Sequence, residues 1–237
     1  MKSIAIIPCR SGSKRIPRKN LQEIEPGISL VRCAVDCAER AGVFHRIIVV
    51  TDDRSYLPPL PGADIWLCPP ELCTDTADIA GVSQWCVERC SDVSLVTTLQ
   101  PAVIARSPTI VRDLVLAVAL NTTANGGLTM AAAHPWTWTD GVDGLAPRWA
   151  GAPGYPRSQN LPRTLCEINA VQVARADTVR RGLRWEWPLS ILELPNWSQA
   201  LDIDTPSDLE QARAIWPIAH PLLSAWRGKI STHEGPR

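Results

Sequence analysis

The chain has 237 residues and a formal net charge of zero, from 24 basic and 24 acidic side chains. This balance argues against a general affinity for nucleic acid or for anionic membranes, and no run of about 18 apolar residues is present that would span a bilayer. Pro8 and Arg10 interrupt the first apolar run, so we expect no secretory signal and a cytoplasmic location.

The first predicted elements alternate between strand and helix. Residues 3–8 (SIAIIP) predict a buried strand, which a basic loop follows. Ser29 is a typical N-cap for a helix that ends just before Gly42. The β-branched run RIIVV, at residues 46–50, is typical of a strand that is covered on both faces.

The alternation continues through the middle of the chain. We expect a helix capped at Thr74 or Asp75, a third strand within residues 93–101, and a helix with Ser107 as its cap and Pro108 at its first position. Strands that alternate with helices predict an α/β fold with three layers, in which helices cover both faces of a mostly parallel sheet.

Residues 134–165 break this rhythm, because they are rich in Pro, Gly and Trp and lack periodicity. They predict either a long loop or an excursion that packs on something else, such as a second subunit. The core pattern resumes at residues 168–174, and Thr205 with Asp208 forms a capping box for a last helix. We expect residues 228–237 to be a frayed tail and the whole chain to form one domain.

The loop after the first strand concentrates positive charge. In an open α/β sheet, ligands bind beyond the carboxyl ends of the strands. Ser11, Gly12 and Ser13 permit close backbone approach and add N–H and hydroxyl donors, which suits a polyphosphate. A solvated basic loop is the alternative, and a nucleic-acid contact is disfavoured because the rest of the chain has no basic excess. The loop's cations are Arg10, Lys14, Arg15, Arg18 and Lys19.

The same loop carries a family resemblance. IPCRSGSKRIPRKN resembles the IPARxGSKxxPxKN signature of the acylneuraminate cytidylyltransferases, the CMP-sialic acid synthetase family. Further landmarks follow in order: RIIVVTDD, PPELCTDTA, LQPAVIAR, PRSQNLP and LDIDTPSDLEQA. The resemblance implies a Rossmann-like nucleotidyltransferase that binds CTP with Mg²⁺, transfers CMP to the hydroxyl of a sugar acid, and releases pyrophosphate. It also implies a homodimer built through the 134–165 excursion.

The resemblance assigns roles within the basic loop. Arg10, Lys14 and Lys19 match the phosphate-contacting, catalytic positions. Ser13 and Asn20 match positions that shape the site, and Ser11 and Gly12 belong to the same nucleotide-binding segment. Phosphoryl transfer depends on positioning and on charge neutralisation, which is what such a loop can provide. Arg15 and Arg18 are less constrained, and we interpret them as solvated.

Two aspartates near the end of the chain predict a metal site. Asp202 and Asp204 alternate along a predicted short strand and would share one face. Paired carboxylates suit Mg²⁺, which prefers oxygen ligands and is shared with substrate phosphates. Helix capping explains Thr205 and Asp208 but explains neither Asp202 nor Asp204.

The acceptor side is assigned by resemblance alone. Gln100 matches a glutamine placed against the sugar acid, and Arg106 matches the arginine that closes the same motif. Arg157 and Gln159 match residues of the excursion that reach across the dimer, and Asn169 matches the asparagine of a following NG pair.

Departures from the family pattern cluster on the base and acceptor sides. Cys68 stands where an arginine commonly helps hold the nucleotide, and Asp78 stands where a serine pair is usual. Ala102, Val103 and Ile104 replace a polar TSP segment and cannot hydrogen-bond a polyhydroxylated tail. We interpret this as retained nucleotidyl transfer with an altered acceptor and a loosened base preference.

Three functions stay open at this point. The first is a synthetase for a CMP-linked nine-carbon acid such as sialic, legionaminic or pseudaminic acid. The second is a cytidylyltransferase for another acid, for instance a phosphonate or an eight-carbon ulosonic acid. The third is a nucleotide-binding protein without catalysis, which the presence of Lys14, Lys19, Asp202 and Asp204 disfavours.

Overall fold

The computed structural model describes residues 1–74, 76–104, 106–133, 136–142, 144–147, 156–161, 163–194, 201–222 and 228–236. The strands and α-helices within these ranges are, in chain order, β1 (Ser3–Pro8), β2 (Glu23–Glu25), β3 (Ile28–Ser29), α1 (Leu30–Ala41), β4 (Arg46–Thr51), β5 (Asp64–Leu67), α2 (Ile79–Glu88), β6 (Leu95–Thr98), α3 (Pro108–Leu120), β7 (Gly126–Ala132), β8 (Trp138–Gly141), β9 (Gly144–Pro147), β10 (Leu165–Arg175), α4 (Ala176–Arg180), β11 (Leu189–Glu193), α5 (Pro206–Leu222) and β12 (Lys229–His233).

Eight strands form one sheet in the order β12-β11-β7-β10-β6-β1-β4-β5. Strand β1 pairs in parallel with both β4 and β6, and β4 pairs in parallel with β5. Strand β10 runs antiparallel to β6 and β7, and β12 runs antiparallel to β11. The predicted α/β fold with a mostly parallel sheet is therefore confirmed.

The sheet is buried on both faces. In β1, Ala5 and Ile7 pack with the core that α1 and α3 close, whereas Ile4 and Ile6 pack with the core that α2 and α4 close. This alternation is the two-residue period of a strand that is covered on both sides. It explains why the first strand reads as a continuous apolar run, and it confirms the predicted three layers.

Helix starts follow the predicted caps in most places. Ser29 accepts a hydrogen bond from the N–H of Arg32, and Gly42 ends α1 in a left-handed conformation with φ of 66°. Ser107 accepts from the N–H of Thr109 at the start of α3. The predicted start of the next helix at residues 74–75 is wrong, because Asp78 is the N-cap of α2.

The predicted frayed tail is also wrong. Lys229–His233 forms β12, the edge strand that pairs with β11. Its β-branched and polar residues suit a strand that is exposed on both faces. Strands β5, β7 and β11 lay outside the sequence prediction.

The 134–165 excursion is described in part. Strands β8 and β9 form a two-stranded hairpin separate from the main sheet. Trp136 and Trp138 are among its exposed large apolar residues. Positions 134, 135, 143, 148–155 and 162 lie outside the described residues, so the dimerisation role expected for this segment stays a prediction.

Candidate active site

A cleft of about 280 Å³ opens at the carboxyl ends of β1, β4 and β6, the edge at which the sequence predicted ligand binding. The basic loop forms one wall, and residues just before α2 and just after β6 form the others. The lining residues that the sequence had singled out are Arg10, Ser13, Lys14, Arg15, Lys19, Asn20, Gln100, Ala102 and Asp204, and the rest of the lining is Thr74 and apolar side chains.

The basic loop is held by groups outside its tip. The N–H of Cys9 donates to the carbonyl of Val50 at 2.7 Å, which continues the pairing of β1 with β4. Asn20, only 6% exposed, donates from its amide to the carbonyl of Arg10 at 3.2 Å. The loop is therefore fixed at both ends by neutral hydrogen bonds, and its cations line the cleft.

The tip of the loop differs from the expectation for Ser11. Its N–H and its hydroxyl donate to the two carboxylate oxygens of Asp52, at 2.8 and 2.9 Å. The N–H of Ser13 donates to the carbonyl of Ser11 at 3.0 Å. The two donors of Ser11 are therefore used by Asp52, and the N–H of Ser13 is used within the loop, rather than offered to a ligand. A Cβ at Gly12 would meet no atom within 4 Å, which leaves open space for close approach.

Lys19 joins the basic loop to the predicted metal segment. Its Nζ donates to the carbonyl of Ile203 at 2.9 Å and to Asp204 Oδ1 at 3.1 Å. Arg15 contacts the other oxygen of Asp204 at 3.1 Å, so this arginine is an ion-pair partner rather than only a solvated charge. The structure thus brings together two cations of the loop and one of the two aspartates.

The two aspartates do not form the short strand that the sequence predicted. Asp202 makes an isolated antiparallel bridge with Val103, and Asp204 lies in the turn before α5. Burial raises the pKa of Asp202, and the neighbouring charge of Asp204 raises it further. A site with two close carboxylates, one of them poorly solvated, fits a divalent cation that prefers oxygen ligands.

The predicted capping box orients Asp204. Asp208 Oδ2 accepts from the N–H groups of Asp204 and Thr205 at 3.0 and 2.7 Å, and Thr205 Oγ1 accepts from the N–H of Asp208 at 3.3 Å. The backbone hydrogen bonds to Asp204 and Thr205 lower the pKa of Asp208. The start of α5 therefore fixes the backbone from which Asp204 projects.

Arg106 does not reach the cleft. It is 3% exposed, and its guanidinium donates to the carbonyls of Gln100 and Ala170 at 3.0 and 2.9 Å. The side chain ties the segment after β6 to β10. It therefore supports Gln100, which does line the cleft, and is not itself placed to contact a ligand.

Asn169 belongs to a bulge of β10. Pairing with β7 shifts between Ile168 and Gln172, so residues 169–171 are extra on the β10 side. The hydroxyl of Thr129 closes the bulge, because it lies 2.6 Å from the carbonyl of Ile168 and 3.2 Å from the N–H of Val171.

A polar cluster surrounds this bulge. The side-chain amide of Gln172 donates to Glu167 at 2.6 Å and to Asn169 at 3.2 Å. The guanidinium of Arg184 donates to Gln172 at 2.7 Å and to Asn169 at 3.4 Å, and its Nε is buried with no partner among the described residues. Since Gln172 lies opposite Thr98, the cluster adjoins the carboxyl end of β6.

Cys68 and Asp78 lie outside the cleft lining. Cys68 is 3% exposed in the core beneath α2, where it packs with Cys73, and the cysteines that line the cleft are Cys9 and Cys73. The side chain of Asp78 accepts from the N–H of Ala80 at 3.0 Å as the cap of α2. Both positions are therefore explained by packing and capping.

Arg157 and Gln159 lie elsewhere again. They line a separate depression with Trp136 and Asn160. The structure describes one copy of the chain, so the predicted reach of these two residues across a dimer stays a prediction.

Two residues near the site, neither of them in the cleft lining, were missed by sequence reasoning. Asp52 belongs to the RIIVVTDD landmark, but its partner Ser11 is 41 positions away. Arg184 follows α4 in an irregular segment with no motif. Asp52 could have been found from its position directly after β4, at the ligand-binding edge of the sheet. No sequence signal indicated Arg184.

Two solved structures share this fold. The solved structure of a CMP:2-keto-3-deoxy-manno-octonic acid synthetase complexed with CTP superposes with a TM-score of 0.69 at 18% identity, and covers 92% of this chain and 99% of that one. The 2-C-methyl-D-erythritol 4-phosphate cytidylyltransferase of Francisella tularensis gives a TM-score of 0.65 at 14% identity, over 90% of this chain and 99% of that one.

Residues 4–101 match the family described as Cytidylyltransferase. An N-acylneuraminate cytidylyltransferase of Escherichia coli is 36% identical over 103 residues, which are 42% of this chain and 24% of that protein. A pseudaminic acid cytidylyltransferase of Campylobacter jejuni is 40% identical over 57 residues, which are 24% of each chain. The matches thus span about a quarter of these two relatives, and they confirm the resemblance that the motifs indicated.

The described part of the chain shows two absences. None of its helices is long and apolar enough to cross a membrane. It also holds no group of three or more His, Cys, Asp and Glu side chains arranged as a complete metal site.

Proposed function

We propose that the protein is a cytidylyltransferase that transfers CMP from CTP to the hydroxyl of an acidic sugar and releases pyrophosphate, acting as a single domain over residues 1–237. One observation carries the proposal: the basic loop and the predicted metal segment meet in one cleft, through the 3.1 Å contact between Lys19 and Asp204. The match of residues 4–101 to the Cytidylyltransferase family supports the same reaction.

The loop residues would do the electrostatic work. Arg10 and Lys14 line the cleft where the β- and γ-phosphates would lie, and would stabilise the departing pyrophosphate. Lys19 would neutralise charge on the transferred α-phosphate. Asp202 and Asp204 would hold Mg²⁺, which when bound supplies charge neutralisation on the phosphate oxygens.

The acceptor side would be formed by Gln100 and by the polar cluster of β10. A guanidinium that is flanked by amide groups, as Arg184 is by Asn169 and Gln172, is suited to a carboxylate. The cluster adjoins the carboxyl end of β6, after which the apolar segment 102–104 follows in the chain. We propose a nine-carbon acid of the sialic, pseudaminic or legionaminic type, or an eight-carbon ulosonic acid, as the acceptor.

The test is pyrophosphate release from CTP in the presence of Mg²⁺ and of each acid in turn, including a phosphonate. We expect turnover with at least one acid and none after chelation with EDTA. Lys14→Ala should lose most of this turnover, whereas Arg18→Ala is the matched control in the same loop, because Arg18 lies over the ring of Tyr56 at 5.7 Å and not in the cleft lining. Absence of turnover with every acid, while CTP still binds, would favour the nucleotide-binding protein without catalysis.

We also propose a homodimer that forms through the excursion. Trp138 is 50% exposed and Leu145 is 69% exposed in the β8–β9 hairpin, and exposed apolar surface can mark an interaction site. Sedimentation equilibrium at micromolar concentration should give twice the chain mass of 25.9 kDa. A monomer at these concentrations would refute the dimer.

A further inference from the structure

Asp52 is the acidic residue in closest contact with the tip of the basic loop among the described residues. It directly follows β4, the strand next to β1, so it lies at the same edge of the sheet. Its Oδ1 accepts the N–H of Ser11 at 2.8 Å and its Oδ2 accepts the hydroxyl of Ser11 at 2.9 Å. A carboxylate with both oxygens on one residue fixes the position and the orientation of that residue.

The loop needs such a restraint. Five cations lie between residues 10 and 19, and two of them, Arg15 and Lys19, share the one carboxylate of Asp204, so like charges are held close together and repel one another. Gly12 adds backbone freedom immediately after Ser11, and Arg18 has a left-handed backbone with φ of 52°, which is unfavourable for a residue with a Cβ. The hydrogen bonds to Ser11 oppose this tendency in the middle of the segment, between the anchors at Cys9 and Asn20.

Direct contact of Asp52 with a triphosphate is disfavoured. Its two oxygens are engaged with Ser11, the residue is absent from the cleft lining, and a carboxylate facing phosphate would repel it. An acid beside a phosphate site therefore needs another role, and the geometry gives one.

We propose that Asp52 is a positioning residue, which acts through Ser11 to hold the basic loop in the conformation that receives a triphosphate. This deepens the proposed function and rests on it for the identity of the ligand. The role depends on the two hydrogen bonds and not on the negative charge. Asparagine at position 52 can make two equivalent hydrogen bonds, because its amide oxygen accepts from the N–H of Ser11 and its amide nitrogen donates to the hydroxyl of Ser11.

The first experiment needs no ligand. Lys14 and Arg15 are exposed trypsin sites within the loop, so the rate of cleavage there reports how well the loop is held. Asp52→Ala should be cleaved at these sites about tenfold faster than the wild type, and Asp52→Asn within about threefold of it. The matched control is Asp53→Ala, which removes the adjacent carboxylate; Asp53 only caps the turn at Ser55, at 2.8 Å.

The second experiment measures the affinity for inorganic tripolyphosphate by titration calorimetry. Asp52→Ala should bind about tenfold more weakly, which is about 1.4 kcal/mol, while Asp52→Asn and Asp53→Ala should bind within threefold of the wild type. Ser11→Ala removes only the hydroxyl contact, should give an intermediate value, and keeps the proposal testable if Asp52→Ala does not fold. Combined with Asp52→Ala, it should show less than the sum of the two effects, since both act on one contact.

Three results would overturn the proposal. Wild-type cleavage and affinity in Asp52→Ala would show that the loop does not depend on this residue. If Asp52→Asn were cleaved as fast and bound tripolyphosphate as weakly as Asp52→Ala, the negative charge would be what matters, as it would for a metal ligand. If Asp53→Ala gave the same cleavage rate and affinity as Asp52→Ala, the effect would come from the turn after β4 in general and not from Asp52. A wild-type protein that transfers no CMP would refute the proposed function. The role of Asp52 would still be tested by the rate of trypsin cleavage, because that rate is measured without ligand or turnover.

Discussion

Replacing Lys19 by alanine tests the proposed mechanism where the basic loop meets the two aspartates. The side chain is 21% exposed and donates to a carbonyl and to a carboxylate, at 2.9 and 3.1 Å. A hydrogen bond to a charged group contributes about 1.5–3 kcal/mol, and the loss of one electrostatic stabiliser of a reacting group lowers kcat by about 10²- to 10³-fold. We therefore expect Lys19→Ala to keep its fold and to lose about 10²-fold in kcat.

Arg15→Ala is the matched control. Arg15 pairs with the same aspartate at the same 3.1 Å, but its side chain is 64% exposed. An exposed ion pair contributes about 1 kcal/mol or less, so kcat should fall by about fivefold at most. The assay is pyrophosphate release at saturating CTP, Mg²⁺ and acid, with thermal unfolding followed by circular dichroism. Turnover at the wild-type rate in Lys19→Ala, or equal losses in the two variants, would refute the reasoning.

Three further predictions concern the metal, the core and the acceptor. Asp204→Asn should raise the Mg²⁺ concentration for half-maximal rate by about tenfold or more, because it removes a charged oxygen ligand; an unchanged Mg²⁺ titration would contradict this. The motif suggests that Cys68→Arg would tighten the binding of CTP, but we expect no tighter binding. We expect the free energy of unfolding to fall by about 3 kcal/mol or more, because the substitution buries an unpaired charge. A melting temperature equal to that of the wild type would show that the arginine side chain reaches the cleft instead. Arg184→Gln should raise KM for the acid by about tenfold while KM for CTP stays within twofold, and equal rises in both would place Arg184 away from the acceptor.

Local signals predicted the parallel part of the fold well. The first strand and the caps at Ser29 and Ser107 depend on neighbouring residues alone, and the structure confirms them. The start of α2 was misplaced because Thr74, Asp75 and Asp78 are all plausible caps in sequence. Only the structure shows that the helix begins after Asp78, whose side chain accepts the N–H of Ala80.

The site was harder to predict because its contacts are distant in sequence. Ser11 donates to an aspartate 41 positions away and not, as the loop motif predicted, to a ligand. Arg106 was predicted to contact the ligand, but it donates to carbonyls that are 6 and 64 positions away. Cys68 was singled out because it stands where an arginine of the motif commonly helps hold the nucleotide, but its side chain faces the core beneath α2. Motifs locate the backbone of a site, whereas the direction of each side chain depends on strand partners that the motif does not contain.

The bulge in β10 has an evolutionary consequence. The part of the cleft that holds the basic loop is built on the parallel strands β1 and β4, and the family match ends at residue 101, before the bulge begins. Residues 169–171 are extra to the ladder, so substitutions there disturb few strand-to-strand hydrogen bonds. Under the proposed function, a lineage could change its acceptor by drift within this bulge while selection preserved the phosphate-handling strands.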